Sequence, residues 1–284
     1  MTHLSIPKTY KLYIGGAFPR SESGRTYEVT TKKGVFLANA AKASRKDARD
    51  AVVAARAAFP GWSGAPGYNR GQVLYRIAEL LEGRRAQFVD ELRSTDGITE
   101  AAALKQVDAA IDAWVWYAGW ADKYLQVAGN GNPVAGPYFN ISTPEPTGVV
   151  AVIAPQTQGL LGLVSVIAPV ILSGNTVVVV ASESSPLSAI SLSEVLATSD
   201  VPGGVVNVLT GSAAEIAPWL ASHADVNALD LAGAESLEWV DLQIAAADTL
   251  KRVLPPESGV PALAVDRVTF FTETKTVWHT KALI

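Results

Sequence analysis

Cysteine is absent from the 284-residue chain, and that one absence removes disulfides, thiolate metal ligands and any sulfur nucleophile. Histidine is scarce: His3, His223 and His279 are the only three. They lie far apart, so a metal site would have to recruit carboxylates from unmarked places, and no metal is expected. Runs of like charge are missing too. With a formal net charge of −4, the chain offers little to a phosphate backbone or an anionic membrane, so neither nucleic acid nor membrane is an expected partner. The opening Met-Thr-His-Leu-Ser-Ile-Pro-Lys lacks the basic start, apolar middle and cleavage pattern of a secretion signal, which makes a cytoplasmic location the expectation.

What is present is ample material for a core: 49% of residues are hydrophobic and 18% charged. No charged residue lies between Glu145 and Glu183, a span long enough to raise the question of a membrane segment. Gln156-Thr157-Gln158, Pro155, Pro169 and Gly174-Asn175-Thr176 interrupt it, and a buried strand-helix-strand fits better.

The first third reads as a hairpin-like opening followed by helices. Tyr10–Phe18 turns at Gly15-Gly16, and two strands are expected before residue 40. Ser44 caps a helix with Ala48, Ala51, Val52, Ala55 and Ala58 at helical spacing, stopped by Pro60-Gly61. Further helices are expected from about Asn69 to Leu81, Arg84 to Leu92 and Glu100 to Tyr124, the last with Leu104, Val107, Ile111, Trp114 and Ala118 on one stripe. Its Trp114, Trp116, Tyr117 and Trp120 read as packing rather than as a stacking platform for a ligand. After Tyr124 a Gly-, Asn- and Pro-rich region with Asn130-Gly131 as a hairpin signal reads as an arm.

From Gly148 the texture changes. Strand-like runs at Gly148–Pro155, Thr176–Val180, Val205–Leu209 and Ala228–Leu231 alternate with helical lengths at Leu160–Leu172, Pro186–Ala197 and Ala213–Ser222. That alternation predicts an α/β fold: a doubly wound parallel sheet with helices on both faces. No strict G-x-G-x-x-G follows any strand; Gly211-Ser212 is a lone glycine at a strand-to-helix turn. Residues 235–265 combine a helix-like piece, Glu235–Leu254, with Pro255-Pro256 and are given no role beyond a bridge. Arg267–Leu283 alternates with Thr, Val, Phe and Trp and reads as a strand, which needs an edge to pair with, here or in another subunit.

In order and at matching spacings, seven runs resemble the aldehyde dehydrogenase superfamily: KLYIGGAF (Lys11–Phe18), AVVAARAAFPGW (Ala51–Trp62), WYAGWADKY (Trp116–Tyr124), EPTGVVAVIAP (Glu145–Pro155), GNTVVVVASESSPLSA (Gly174–Ala189), VPGGVVNVLTG (Val201–Gly211) and SHADV (Ser222–Val226). The closing TETKTVW (Thr272–Trp278) is similar to the family's C-terminal oligomerisation strand. The resemblance implies a Rossmann-like NAD domain over residues 1–122 and 147–262, an oligomerisation arm and tail over 123–146 and 263–284, and a catalytic domain that is missing.

Family chemistry needs a thiolate, NAD, a carboxylate base and oxyanion donors. Against that requirement the nucleophile is gone with cysteine. The asparagine of the family's Pro-Trp-Asn run falls on Thr157, and the glutamate expected after Leu250-Lys251-Arg252-Val253 is matched only loosely by Glu257. The family's ribose-binding lysine falls on Val180 of Val180-Ala181-Ser182-Glu183, and its Phe-Thr-Gly-Ser turn on Leu231-Ala232-Gly233-Ala234. Ile153, Ser182 and Glu183 are the positions left for cofactor contact, so no NAD or weak NAD binding is expected. Glu183 otherwise reads as a solvated loop carboxylate, Thr157 as a turn residue, and His223 and Asp225 as parts of a surface turn.

The resulting expectation is a pseudo-enzyme: a noncatalytic subunit that assembles with itself or with a full-length relative. Phe270, Thr272, Thr274, Lys275, Val277 and Trp278 are its candidate interface residues, with Phe270 and Trp278 as anchors. Two alternatives stand beside it: an NAD(P)-dependent aldehyde oxidoreductase active only with a partner chain, and a nucleotide-binding regulator using the crevice at the strand ends.

Overall fold

A computed structural model describes residues 6–281; the first residues of the N-terminal run, together with Leu283 of the expected tail strand, lie outside that range. The chain begins with a tight turn in which Ile14 and Ala17 exchange both backbone hydrogen bonds at 3.0 Å. Gly15 and Gly16 supply the positive φ values, 63° and 83°, that such a turn needs. An antiparallel pair follows, β1 (Thr26–Thr30) and β2 (Phe36–Ala41), then the helices α1 (Arg45–Ser63), α2 (Gly67–Gly83), α3 (Arg85–Asp96) and α4 (Glu100–Trp120). The arm comprises α5 (Tyr124–Ala128), β3 (Asn130–Asn132) and β4 (Tyr138–Pro146).

The remaining elements alternate: β5 (Val149–Ile153), α6 (Gly159–Leu172), β6 (Thr176–Val180), α7 (Leu187–Ala197), β7 (Val206–Leu209), α8 (Ala213–Ser222), β8 (Ala228–Asp230), α9 (Trp239–Ala247) and β9 (Arg252–Leu254). A short α10 (Val265–Phe270) and a long β10 (Thr272–Thr280) close the chain.

The parallel strands form one sheet in the order β7-β6-β5-β8-β9. All five strands run the same way, and the order in which the chain adds them switches sides between β5 and β8, the place where open α/β sheets present a crevice beyond their carboxyl ends. Side-chain alternation sorts the strands between two cores. Val149, Ala151, Ile153, Val178, Val180 and Leu209 pack with α1, α8 and α9. Val150, Val152, Ala154, Val177, Val179, Val206 and Val208 pack with α2, α4, α6 and α7. Every residue of β5 and β6 is buried, and at roughly 1.5–3 kcal/mol per fully buried aliphatic side chain this two-faced burial explains why the strands are unbroken β-branched runs. No helix among the described residues is long and apolar enough to cross a membrane.

Several local expectations differ from the structure. Helix α1 runs through Pro60 rather than stopping there. Its last turn is anchored by Trp62, which is 3% exposed and whose indole N–H donates to the Ile171 carbonyl at 2.8 Å, a contact that stabilises the turn beyond the missing proline N–H. The buried face of α4 is centred on Ala103, Val107, Ala110, Trp114 and Tyr117, so the apolar stripe sits about one residue away from Leu104, Ile111 and Ala118. That helix ends at Trp120, short of Tyr124. Trp114 and Tyr117 are core, as read from their spacing.

Asn130-Gly131 is not the hairpin turn but part of β3, in which Asn132 Nδ2 donates to Ser142 Oγ at 2.8 Å and to Asn140 Oδ1. Glu235–Leu254 is not one helix, since β9 occupies its end and extends the sheet beside β8. Phe270 belongs to α10, not to the tail strand. The reason is Phe271, fully buried, whose carbonyl accepts from Asn175 Nδ2 at 2.7 Å and ends the helix before the strand begins.

β10 pairs antiparallel with β4 over Thr272–Thr280, with Trp278 opposite Asn140 and Val277 opposite Ile141, in a three-stranded sheet ordered β10-β4-β3. Arm and tail thus share a sheet within one chain, and β10 keeps its other edge free among the described residues.

Candidate functional site

The crevice is assembled from the ends of β5 and β6. After Ile153 the chain leaves the sheet through Ala154-Pro155, turns at Gln158 in a left-handed conformation (φ 52°) and enters α6. Gly162 permits this turn, since a Cβ there would lie 3.1 Å from the Thr157 carbonyl and 3.0 Å from the Pro155 ring. The loop after β8 closes over the same strand end: Gly233 N–H donates to the Ile153 carbonyl at 2.8 Å. A Cβ on Gly233 would be 1.8 Å from the Ala154 oxygen, so only glycine lets the two loops touch.

Within this frame the sequence-derived candidates separate. Thr157 is exposed at the crevice rim, as a turn residue would be. Ile153 and Val180 are 2% and 0% exposed and belong to the core under α1 and α8. Ser182, 3% exposed, donates its hydroxyl to the Gln156 carbonyl at 3.1 Å and accepts from Ser185 N–H at 3.3 Å. Glu183 is exposed and lines the crevice.

Gln156, which the sequence did not single out, bridges the strand ends: its Nε2 donates to the Ala154 carbonyl at 2.8 Å and its Oε1 accepts from Glu183 N–H at 3.0 Å. Leu231, Ala232 and Ala234 are at most 2% exposed and packed into the two cores. His223 and Asp225 form the surface turn expected of them, with Asp225 N–H donating to His223 Nδ1 at 3.1 Å.

Glu257 is tied up elsewhere. Arg267, on α10, donates to Glu257 Oε2 at 2.9 Å and also to Asp230 at the carboxyl end of β8. Asp230 is fully buried, and burial raises its carboxyl above the ordinary value although Arg267 and the Ala232 N–H pull it down. This is a structural ion-pair triad tying α10 to the sheet.

The crevice opens into a cleft of about 530 Å³ between β1 and the strand ends. Tyr27, Thr30, Thr31, Thr95, Gln106, Gln156 and Ser185 contribute polar groups to its lining; its charges are Glu28, Asp96 and Glu183 against Lys32. Asp96 is held by Ser185 Oγ at 2.7 Å and Thr95 Oγ1 at 2.9 Å, both donating to Oδ1. Burial, with Glu183 nearby, pushes the Tyr27 phenol well above its ordinary value and keeps it neutral. Gln106, Asp96 and Tyr27 were not legible as site residues; only Gln106 carried a signal, a polar side chain on the buried face of α4. Among the described residues no cluster of metal-ligating side chains occurs.

Residues 18–266 match the family described as "Aldehyde dehydrogenase family". Over 261 residues the chain is 32% identical to "Aldehyde dehydrogenase, cytosolic 1" of Elephantulus edwardii, covering 89% of this chain and 51% of that protein. The protein HpcC of Thermus thermophilus superposes with a TM-score of 0.82 at 31% identity, over 87% of this chain and 48% of that one. An aldehyde dehydrogenase of Bacillus cereus, solved as an NAD+ complex, superposes with a TM-score of 0.80 at 26% identity over 87% of this chain and 50% of that one. The chain thus spans about half the length of the relatives it matches. With most of its residues matched by the family, in sequence and in fold, the chain belongs to the aldehyde dehydrogenase family.

Proposed function

We propose that this chain is a noncatalytic aldehyde dehydrogenase-like subunit whose role is structural: it assembles with a second copy or with a full-length active relative. The observation that carries the reading is the pairing of two features. One is a crevice in a chain without cysteine, and the other is an arm sheet that carries exposed large apolar side chains and, among the described residues, an unpaired edge.

The chain has no cysteine, and an alcohol without a dedicated base does not replace a thiolate in attack on an aldehyde. The residues present do not fit the dinucleotide either. Where a pyrophosphate would need backbone N–H donors or cations, Gln156 occupies the Glu183 N–H, Val180 is buried in the core, and the loop after β8 rests on Ala154. Three carboxylates against one lysine line the cleft, an unfavourable field for a phosphate group.

The arm sheet is exposed on both faces. Phe139 and Ile141 are 56% and 42% exposed, and Trp278 and Tyr138 are 59% and 38% exposed. By strand alternation and register, the first two share one face with Val277, and the second two share the other. Tyr138 and Trp278 stack edge to face at 5.9 Å. Large apolar side chains on both faces of a sheet with a free edge favour burial against another chain.

The test measures native mass and aldehyde turnover on the same preparation, alone and co-expressed with an active relative. The expected result is an oligomer, self or mixed, with no NAD-linked turnover by this chain alone. A monomer under both conditions would overturn the assembly role, and turnover by the chain alone would overturn the noncatalytic one.

A further inference from the structure

We infer that the cavity between the N-terminal segment and the β1–β2 pair binds a phosphomonoester with a small apolar substituent. The inference concerns a part of the molecule away from the crevice and the arm, and it stands independently of the assembly role.

The cavity measures about 280 Å³ and is lined by residues 7–11, by the turn that leads into β1, and by β2. Main-chain bonds hold these walls together. Tyr10 N–H donates to the Asn39 carbonyl at 3.4 Å, Ala41 N–H to the Tyr10 carbonyl at 2.9 Å, and Lys42 N–H to the Arg25 carbonyl at 2.9 Å. Ser21, buried at the base of the turn, donates its hydroxyl to Asp47 Oδ2 at 2.8 Å. The walls therefore keep their shape without a ligand, as most small-molecule sites do.

The charges on this lining are of one sign. Lys8, Lys11, Arg20 and Arg25 contribute to it, and among the described residues no aspartate or glutamate does, although the chain as a whole carries −4. Lys8 is committed to Glu194 at 2.8 Å. Lys11, Arg20 and Arg25 enter no ion pair among the described residues. Carboxylates close to the cavity are engaged by other cations: Glu22 pairs with Lys46 at 3.2 Å, and Glu215 of α8 with Lys42 at 2.6 Å. The Lys42 hydrogen bond holds the Glu215 carboxyl below its ordinary value, with a smaller contribution from Arg25. An exposed cation suffers no penalty for lacking a partner. What singles these out is their convergence on one concave wall, where a field of one sign concentrates a counter-ion.

Charge and shape then select the anion. A carboxylate brings one negative charge, whereas a phosphomonoester brings about two at neutral pH with three acceptor oxygens, a better match to three cations. The planar forks of two arginines suit those oxygens in paired hydrogen bonds. Phe36, 48% exposed, stands in the same lining beside Pro7. It offers an apolar surface that inorganic phosphate would leave uncovered and that a ring or short alkyl group on the ester would cover. The volume admits one such molecule and is too small for a dinucleotide.

The experiment is isothermal titration of the full chain with phenyl phosphate, compared with inorganic phosphate, benzoate, phenol and benzylamine. Phenyl phosphate is expected to bind saturably, more tightly than inorganic phosphate and at least about tenfold more tightly than the other three, with an affinity that falls as salt rises. Arg20→Gln and Arg25→Gln are each expected to weaken it about tenfold. Phe36→Thr should weaken phenyl phosphate and leave inorganic phosphate unchanged. Lys32→Gln, which removes an exposed cation outside this cavity, should change neither and controls for net charge. All four positions are exposed, so the variants are expected to melt close to the parent without ligand. The inference is overturned by absent saturable binding of phenyl phosphate, by any of the other four compounds binding as tightly, by unchanged affinity in both arginine variants or in Phe36→Thr, or by an equal loss in Lys32→Gln.

Discussion

Gln156 and Glu183 hold the ends of the adjacent strands β5 and β6 together through one side chain: Gln156 Oε1 takes the Glu183 N–H at 3.0 Å while its Nε2 donates to the Ala154 carbonyl at 2.8 Å. Ala154 is 1% exposed, so its carbonyl has little access to water once the amide is gone. Gln156→Ala is therefore expected to cost about 1–3 kcal/mol, read as a lower urea midpoint with an unchanged slope. An unshifted midpoint would mean that solvent replaces both bonds without loss.

The Asp230–Arg267 pair gives a sharper test. Asp230 is 0% exposed and the Arg267 side chain 8%, and the guanidinium also binds Glu257 at 2.9 Å. Arg267→Leu strands a buried carboxylate and should cost about 3–5 kcal/mol, whereas Asp230→Asn with Arg267→Leu should cost less than the two single changes added together. Additive single and double mutants, measured by denaturant titration, would show that the pair is not coupled.

The contrast between these residues and the sheet explains what was legible. β5 and β6 were readable because burial on both faces selects unbroken β-branched runs, a pattern that needs no knowledge of neighbours. Thr157, Ser182 and Glu183 were found through motif resemblance, which locates a strand end but says nothing about what fills it. β9 escaped because it is three residues long and opens with Arg252, whose partner Glu273 at 2.7 Å lies on the tail strand. Phe270 was misplaced because its alternation continues that of β10, while the helix end is decided by the Asn175 bond to Phe271. Gln156, Gln106 and Tyr27 acquire their roles only from residues that the fold brings to them. No periodicity records such tertiary neighbours.

Glu91 makes stability depend on pH. Tyr10 and Ser191 hydroxyls both donate to its Oε1, at 2.9 and 3.0 Å, but Oε2 has no partner. Burial raises the carboxyl above its ordinary value of 4.5, against the lowering pull of those hydrogen bonds and of Lys8. The sign follows from proton binding: the folded chain holds this proton more tightly than the unfolded one. Glu91 therefore contributes most at low pH, and its contribution falls as pH rises from the unfolded value through the raised folded value. Glu91→Gln should flatten that part of the stability–pH curve while leaving the slope elsewhere unchanged. A stability–pH curve that Glu91→Gln leaves unchanged above the ordinary carboxylate range would contradict the raised carboxyl.

Assembly through the arm predicts opposite outcomes for two kinds of change on the same sheet. Trp278 and Phe139 are more than half exposed in the isolated chain, at 59% and 56%, so replacing either with threonine removes apolar area that only a partner would bury. Stability of the separated chain should change by less than about 0.5 kcal/mol, as at ordinary surface sites, while the affinity of the assembly should drop by about one to three powers of ten if the side chain is an anchor. Lys275, by contrast, forms an exposed ion pair with Glu145 at 3.0 Å, and Lys275→Ala should leave the mass distribution almost unchanged because such pairs contribute little. Native mass measured across a dilution series separates the two. If Lys275→Ala dissociates the particle while Trp278→Thr and Phe139→Thr do not, the contact is electrostatic and the apolar faces of the arm are not what the partner covers.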